Sequence, residues 1–259
     1  MMGKITGMTF APVAACSSFG YGLGMAMDAI QLGKAKAVVV AMTDPAPHPL
    51  SVGAFYNARV LAADAEVSKP LTGLRGTHVA GGSVAWVVGD LEWMQAKGFR
   101  PLGMEPVGVG LTADADHIIT PSKEGPTASI RLALEHAAVR PEEIGTWDLH
   151  ATATPGDYLE VETMRGVLPE DVVVTARKGT FGHGMSVGGG WELTAQYLGY
   201  ARGRIYPTPL RSEELNTQIG KVHGNFVLDA HCDAPTGAAG KLSMGIGGIN
   251  ACVISRPLR

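Results

Sequence analysis

Short apolar segments that alternate with helical ones constrain the fold of this 259-residue chain more than any other feature. Apolar runs with the length of strands, the first two of them typical of buried strands, cover residues 37–42, 83–88, 102–111, 147–149, 172–175, 226–228, 242–244 and 251–254. Amphipathic or small-residue segments predict helices at residues 17–33, 51–62, 125–138, 157–168 and 186–202. This alternation predicts an α/β fold built on a largely central sheet.

Charge and composition exclude several classes of protein. The net charge is −3 and charged residues make up 17% of the chain, so neither nucleic-acid binding nor a disordered acidic tail is indicated. No apolar run reaches the roughly 18 residues that a membrane-spanning helix needs.

The three cysteines, Cys16, Cys232 and Cys252, are too widely spaced for a disulfide framework. Their number and spacing indicate a reducing compartment, and we expect a cytoplasmic protein.

The first candidate for chemistry is Cys16, where an apolar segment meets a small-residue helix. A thiol at a helix N-terminus faces the positive end of the helix dipole and free backbone N–H groups. Both favour the thiolate, so this position predicts an activated nucleophile. The alternative is a buried and unreactive cysteine, which is a common state of an isolated cysteine.

Two further segments place histidines directly after predicted strands. His150 opens a turn that also carries the hydroxyl groups of Thr152 and Thr154. Lys178 and His183 lie in a glycine-rich loop after the next strand along the chain. Loops after the carboxyl ends of strands are where α/β proteins carry their sites. Either histidine, taken alone, is more readily interpreted as structural than as catalytic, because the chain has eight histidines.

The cysteine and the two histidines together indicate acyl-transfer chemistry. Cys16 supplies a nucleophile, and imidazole N–H donors of His150 and His183 could stabilise an enolate or an oxyanion. The glycine-rich residues 245–248 could bring backbone N–H groups close to the same substrate. These residue types do not distinguish hydrolysis from condensation. A metal site at residues 231–233 is not favoured, because no second ligand cluster has suitable spacing.

Four segments, in this order and spacing, resemble motifs of the β-ketoacyl-acyl-carrier-protein synthases of the thiolase fold. Cys16 stands where that family has its acyl-accepting cysteine. Residues 150–155 resemble the family's His-Gly-Thr-Gly-Thr-Pro loop, and residues 178–183 resemble its Lys-Ser-x-x-Gly-His loop. Residues 245–250 resemble its closing Gly-Phe-Gly-Gly-Thr-Asn. The resemblance covers essentially the whole chain and includes residues 114–117 and 141–145.

The resemblance implies a layered α-β-α-β-α fold and an acyltransferase that works by decarboxylative Claisen condensation, in fatty-acid or polyketide biosynthesis. It implies that Cys16 takes an acyl group from a carrier-protein or coenzyme A thioester. His150 and His183 then hold a malonyl thioester and stabilise the enolate formed on decarboxylation. Lys178 is implied to orient His150 electrostatically, with Glu160 as the partner of the lysine.

The same resemblance implies further roles around the substrate. The backbone N–H groups of Cys16 and Ile246 form an oxyanion hole, and Ile246 and Gly247 lie in the loop that gates the site. Thr152 and Thr154 hydrogen-bond the pantetheine arm. No metal or redox cofactor is implied, since the phosphopantetheine arm of an acyl carrier protein, or coenzyme A, carries the substrate.

The sequence departs from the family pattern at its N-terminal end. In the family the nucleophile lies near the end of the first of two similar halves, whereas here it lies at residue 16. We therefore expect residues 1–112 to be the remainder of the N-terminal half and residues 113–259 to be the C-terminal half. The expected partners are an acyl carrier protein and a second chain that supplies the rest of the first half, or a ketosynthase-type dimer. The alternative is that the chain is a fragment.

Local changes leave the acyl substrate undetermined. Ala151 and Ala153 replace glycines, and Ile246 replaces the gatekeeping phenylalanine. Residues 75–78 read Arg-Gly-Thr-His where the family has Arg-Asp-Gly-Phe. His78 is therefore a candidate polar group near the malonyl pocket, and a surface position is an equal alternative.

Two other functions compete with an active condensing enzyme. One is a non-condensing partner subunit of the chain-length-factor type, which is not expected to keep Cys16 and both histidines. The other is a cysteine acyltransferase or thiolase-like enzyme. The two-histidine pattern favours decarboxylative condensation over it, because a thiolase is expected to bring a second reactive cysteine and Cys252 lies in an apolar strand.

Overall fold

The computed structural model describes residues 5–62, 67–74, 76–116 and 122–258. Its helices are α1 (Ser18–Gln31), α2 (Pro49–Asn57), α3 (Leu91–Ala96), α4 (Glu124–Ala137), α5 (Gly156–Arg165), α6 (Lys178–Phe181), α7 (Gly188–Ala201) and α8 (Thr217–Val222). Its strands are β1 (Ala37–Asp44), β2 (Gly82–Gly89), β3 (Met104–Ala113), β4 (Ile144–Leu149), β5 (Val173–Ala176), β6 (Arg204–Ile205), β7 (Cys232–Asp233), β8 (Ala238–Gly245) and β9 (Ile249–Pro257).

The main sheet has five strands in the order β3-β9-β8-β4-β5. Strand β4 pairs in parallel with β5 and β8, and β9 pairs antiparallel with β8 and β3. Strands β3, β8, β4 and β5 therefore run in one direction. The loops that follow their carboxyl ends open at the same edge of the sheet, which is where α/β folds carry their sites.

Two apolar cores lie on opposite faces of this sheet. The first contains Ile130 of α4, Val161 of α5 and Trp147 of β4. The second contains side chains of α1 and α7 together with Val253 of β9. Burial of both faces is the arrangement expected for mostly parallel strands. The predicted α/β fold with a central sheet is thus confirmed.

Strands β1 and β2 form a separate two-stranded antiparallel sheet, which is a further layer on the far side of α1 and α7. Its Trp86 packs against Phe19 of α1, with the two ring centroids 5.3 Å apart. The opposite face of this two-stranded sheet is open in this chain, where Val39 is 46% and Val87 is 64% exposed. The prediction that β1 and β2 are buried strands is therefore wrong for this chain, because helices cover only one face.

Helix α4 lies unusually close to β3. A Cβ atom added at Gly110 would lie 2.0 Å from the carbonyl oxygen of Ser129, and one at Gly108 would lie 2.4 Å from that of Ala133. These distances are far below van der Waals contact, so only glycine permits this approach of helix and strand. The contact holds the carboxyl end of β3 beside those of the other strands.

Most predicted elements are present, with shifted ends. The strand predicted at residues 226–228 is wrong, since Phe226 makes only a single bridge to Val174. Among the described residues, no helix is both long and apolar enough to cross a bilayer. His78 is exposed, whereas Arg75 and His117 lie outside the described residues.

Candidate active site

Cys16 lies in a tight turn, Ala15–Ser17, that leads directly into α1. Ala15 has a φ angle of +46°, in the left-handed region that residues with a side chain rarely adopt. The Ser17 hydroxyl lies 3.0 Å from the carbonyl oxygen of Ser243 and 2.8 Å from that of Ile249. These contacts fix the cysteine turn to the end of β8 and the start of β9.

The protonation of Cys16 differs from the expectation based on its position. Burial raises the pKa of this thiol to about 11, which outweighs the positive charge of Lys178 and the backbone N–H groups of Ile246 and Cys16 itself, both of which lower it. Desolvation disfavours the charged thiolate more than the helix end favours it. The prediction of a thiolate activated by position alone is therefore wrong, and the thiol is protonated at neutral pH.

His150 follows β4, and its loop is held by two buried carboxylates. Glu160 of α5 accepts hydrogen bonds from the backbone N–H groups of His150 and Ala151, at 2.6 and 2.7 Å. Asp157 accepts from the N–H groups of Thr152 at 2.9 Å and Leu71 at 2.8 Å. Burial raises the pKa of Glu160 to about 7 and that of Asp157 to about 6. The two carboxylates fix the backbone of the loop and leave its side chains free.

The loop also presents two hydroxyl groups toward the cavity. The side-chain oxygens of Thr152 and Thr154 lie 3.0 Å apart. Ala153, between them, has a φ angle of +59° where the family motif has glycine. The substitution is accommodated at the cost of a left-handed backbone conformation.

Lys178 begins α6 and is buried. Its ammonium group lies 2.7 Å from a carboxylate oxygen of Glu192 in α7. The expected pairing of Lys178 with Glu160 is therefore wrong. Both oxygens of Glu160 are occupied by backbone N–H groups of the His150 loop, whereas α7 carries Glu192 to the lysine.

The two imidazole rings meet edge to face. The ring centroids of His150 and His183 are 5.4 Å apart. Burial and the nearby Lys178 lower the pKa of His183 to about 3, and burial followed by Lys178 lowers the pKa of His150 well below its usual value. Both imidazoles are therefore neutral at physiological pH. Because Nδ1 is fully buried in both rings, Nε2 is the nitrogen available to a substrate.

A short segment at residues 76–80, which sequence reasoning did not connect with the histidines, holds both of their loops. The N–H of Gly76 donates to the carbonyl of Ala153 at 2.8 Å. The N–H of His183 donates to the carbonyl of His78 at 2.6 Å, and the N–H of Ala80 returns a bond to His183 at 3.0 Å. The side chain of His78 is exposed, which agrees with the alternative that this histidine occupies a surface position.

The glycine-rich loop between β8 and β9 closes one side of the site. Gly247 has a φ angle of +91°, which a residue with a side chain adopts only under strain. Asn250 donates from Nδ2 to Asp114 at 2.6 Å, and the N–H of Asp114 donates to the carbonyl of Gly248 at 2.7 Å. Ile246 is 45% exposed at the mouth of the site.

These elements enclose a cavity of about 370 Å³. Seven of the predicted site residues line it: Cys16, Thr152, Thr154, His150, Glu160, His183 and Ile246. Lys178 lies behind this lining, and Gly247 is not part of it. Helix α2 adds Ala54 and Phe55, which sequence reasoning did not assign to the site.

Glu192 and Lys241 are two buried charged residues beside the site that sequence reasoning missed. Each is the only charged residue of its element, α7 and β8 respectively. A lone charge in an otherwise apolar buried element requires a partner. The sequence shows a single charged residue in each of these two apolar segments, and this pattern indicates a buried ion pair.

Comparisons with known proteins agree with this geometry. The family described as Beta-ketoacyl synthase, N-terminal domain matches residues 1–92, and Beta-ketoacyl synthase, C-terminal domain matches residues 105–210. The 3-oxoacyl-[acyl-carrier-protein] synthase 2 of Synechocystis sp. is 31% identical over 207 residues, which are 76% of this chain and 50% of that protein. The protein of the same name from Staphylococcus aureus is 29% identical over 208 residues, 76% of this chain and 51% of its own length.

Solved structures give the same result for the fold. The ishigamide ketosynthase/chain length factor superposes with a TM-score of 0.87 at 26% identity, over 95% of this chain and 60% of that one. A type II PKS acyl-carrier protein in complex with its ketosynthase bound to the hexaketide gives a TM-score of 0.87 at 21% identity, over 97% of this chain and 64% of that one.

The extent of these matches defines what the chain contains. It spans about half the length of the curated relatives that it matches. Both halves of the family signature are represented, and the fold is the thiolase-like α/β arrangement of ketosynthases. The chain therefore belongs to the β-ketoacyl synthase family.

Proposed function

We propose that this chain carries the catalytic residues of a β-ketoacyl synthase that condenses a malonyl thioester with an acyl group held on Cys16. The observation that carries the proposal is the convergence of one thiol, two neutral imidazoles and two backbone N–H groups on one cavity. Each group has a separate task in decarboxylative condensation, and hydrolysis does not require two neutral histidines.

In the first step, Cys16 takes up the acyl group. The thiol loses its proton and the sulfur attacks the thioester carbonyl, and the proton leaves with the carrier thiol that is released. The backbone N–H groups of Cys16 and Ile246 face the sulfur. They are suitably placed to stabilise the oxyanion of the tetrahedral intermediate. Because the thiol is protonated in the empty site, its proton must be lost as the new carbon–sulfur bond forms, and the sulfur of the released carrier thiol is its final acceptor.

In the second step, the malonyl thioester loses CO₂. The bond to the carboxylate breaks and its electron pair moves into an enolate, whose oxygen accepts hydrogen bonds from Nε2–H of His150 and His183. Neutral imidazoles suit this role, since each has one N–H to donate and does not pass a full proton to the carbanion. The carbanion then attacks the Cys16 thioester, the new carbon–carbon bond forms, and the released sulfur regains its proton.

The carrier of the substrates is proposed to be an acyl carrier protein with a phosphopantetheine arm, or coenzyme A. The hydroxyls of Thr152 and Thr154 line the cavity and can hydrogen-bond the amides of that arm. The pathway is fatty-acid or polyketide biosynthesis. A cytoplasmic location is in keeping with three cysteines that form no disulfide.

The proposed assembly includes the remainder of a thiolase-type fold, as a second chain or within a ketosynthase-type dimer. The open face of the two-stranded β1–β2 sheet, with Val39 and Val87 exposed, supports this part of the proposal. We propose the same division as the sequence suggested, with residues 1–112 in the N-terminal half and residues 113–259 in the C-terminal half.

Acylation and decarboxylation test the proposal separately. The chain, coexpressed with its assembly partner, is incubated with acyl-carrier-protein and malonyl thioesters. We expect an acyl adduct on the wild type and on the control variant Cys232→Ala, and none on Cys16→Ala. His150→Ala and His183→Ala are expected to lower malonyl decarboxylation at least about 100-fold while Cys16 is still acylated. Absence of both adduct and CO₂ release would refute the proposal.

A second candidate is a non-condensing partner subunit, because one similar structure is a ketosynthase/chain length factor. The two functions differ in their need for the thiol. A complex that stays fully active with Cys16→Ala would identify the partner function. A third function, a cysteine acyltransferase, is distinguished by transfer of acetyl groups without any consumption of malonyl thioester.

A further inference from the structure

Lys241 is a buried lysine that lies behind the residues lining the cavity, and no role has been assigned to it above. It lies on β8 opposite Asp148 of β4, and only 1% of its surface is exposed. Its ammonium group donates to the carbonyls of Leu149 at 3.0 Å and Leu242 at 2.7 Å. It also lies 2.8 Å from the second carboxylate oxygen of Glu192.

These contacts connect three parts of the active site. Leu149 is the residue before His150, so Lys241 holds the end of the strand that carries this histidine. Glu192 is shared between Lys241 and Lys178, one lysine on each oxygen. Lys241 also lies close in sequence to the glycine-rich loop, because β8 ends at Gly245 and Ile246 follows directly.

Lys241 offsets part of the buried negative charge of this region. The buried cations of this region are Lys178 on α6, Arg177 before it and Lys241 on β8. The buried carboxyl groups around them are Glu192 on α7, Asp148 on β4, and Asp157 and Glu160 on α5, four carboxyl groups against three cations. Arg177 pairs with Asp148 at 3.4 Å. Lys178 and Lys241 together face Glu192 and Glu160.

We propose that Lys241 is a positioning residue of this active site: it fixes the strand end before His150 and balances the charge of the buried carboxylates beside both histidines. The proposal deepens the proposed function, since positioning of His150 serves the condensation. Its charge-balancing part concerns the folded protein and can be tested without any catalysed reaction.

Loss of the positive charge has a definite electrostatic result. Lys241 lowers the pKa values of His150, His183 and Glu160. Without it the region loses one buried positive charge, which favours uptake of a proton. Because the pKa of Glu160 is already about 7, this carboxylate becomes protonated at neutral pH and no longer accepts as an anion from the His150 and Ala151 N–H groups.

The test compares Lys241→Met with the matched control Gln196→Met. Gln196 is also buried, and its side chain donates to the carbonyl of Gly240, the residue before Lys241, so the control removes a polar contact to β8 without removing a charge. The imidazole nitrogens of ¹⁵N-histidine-labelled protein are titrated by NMR, with His150→Asn and His183→Asn for assignment. We expect both site imidazoles to titrate about one pH unit higher in Lys241→Met and to be unchanged in Gln196→Met.

A charge-compensating double variant distinguishes the effect of the lost charge from the effect of altered packing. Lys241→Met combined with Glu192→Gln removes one charge of each sign, and we expect the imidazole pKa values to return toward those of the wild type. If Lys241→Met does not fold, Lys241→Gln, which can still donate to a carbonyl, carries the same expectation. Identical titrations in Lys241→Met, Gln196→Met and wild type would overturn the proposal, as would a double variant shifted further than the single one.

The rate of malonyl decarboxylation provides the catalytic readout. We expect the acidic limb of its pH profile to move about one unit to higher pH in Lys241→Met and to stay in place in Gln196→Met. If wild type releases no CO₂, the proposed function fails, while the imidazole titration still decides the role of Lys241. If wild type is active and the profile does not move, the Lys241 proposal fails alone.

Discussion

Alkylation of Cys16 measures which physical effect controls the reactivity of the thiol. Burial raises the pKa of Cys16 from an ordinary value of 9.0 to about 11, and the favourable effects of Lys178 and the backbone N–H groups do not compensate. A difference of about two pH units corresponds to a roughly 100-fold smaller thiolate fraction at pH 7.5. Since the thiolate is the species that reacts with iodoacetamide, the folded protein is expected to react about 100-fold more slowly than a free thiol.

The assay follows carbamidomethylation of Cys16 by peptide mass spectrometry between pH 7 and pH 11. Peptide-level detection separates Cys16 from Cys232 and Cys252. The rate is expected to rise about tenfold per pH unit up to pH 10, without a plateau below that value. A plateau near pH 8 or below would refute the reasoning, because it would show that the helix end and Lys178 outweigh desolvation.

Lys178→Met extends the same experiment. The positive charge of Lys178 lowers the pKa of Cys16, so its loss is expected to slow alkylation at pH 9 by a further factor of about 3 to 10. Lys221→Met is the matched control, since Lys221 is exposed on α8. Equal rates in the two variants would show that the charge of Lys178 does not reach the sulfur.

Two further predictions concern stability. Gly110→Ala would place a Cβ 2.0 Å from the Ser129 carbonyl and is expected to destabilise the fold by about 2–4 kcal/mol in urea unfolding. The control is Gly53→Ala in helix α2, where an added Cβ would have no atom within 4 Å, so it is expected to be neutral or stabilising by up to about 1 kcal/mol. Equal changes in unfolding free energy for the two variants would contradict the close approach of α4 to β3. The raised pKa of Glu160, from 4.5 to about 7, means that its contribution to stability is largest below pH 4.5 and is lost as the pH rises through 7. Relative to Glu160→Gln, the wild type is therefore expected to lose about 3 kcal/mol of unfolding free energy between pH 4 and pH 8, and a difference of the opposite sign would show that hydrogen bonding outweighs desolvation.

Much of the fold was predictable because its signals are local. The apolar run of β1 and the helix α4 were predicted within two residues of their observed limits, whereas β4 was predicted with the correct end before His150 but begins three residues earlier than predicted. The strand predicted at residues 226–228 failed because Phe226 finds one bridge partner only, and whether a short apolar run joins a sheet depends on a neighbour distant in the chain. The burial of β1 and β2 failed for a similar reason, since the β-branched run does not show which faces are covered.

The candidate site was predicted in its members more than in their pairing. Cys16, His150 and His183 meet around one cavity as their positions after strands and before a helix indicated. The partner of Lys178 was not predictable from spacing: Glu160 and Glu192 are both helical glutamates near histidine loops. Only the packing of α5 and α7 decides which one reaches the lysine.

The sequence by itself determined the α/β class, the residue types of the site and the loops that carry them, because these depend on short-range patterns of polarity and glycine. The tertiary structure alone decided the ionisation of the site. Whether Cys16 is a thiol or a thiolate, and whether the histidines are neutral, depends on burial and on charged side chains from four different elements, β1, α6, α7 and β8. Desolvation and Coulomb interactions act through space over a few ångströms, so they follow the packing of the chain rather than the order of its residues.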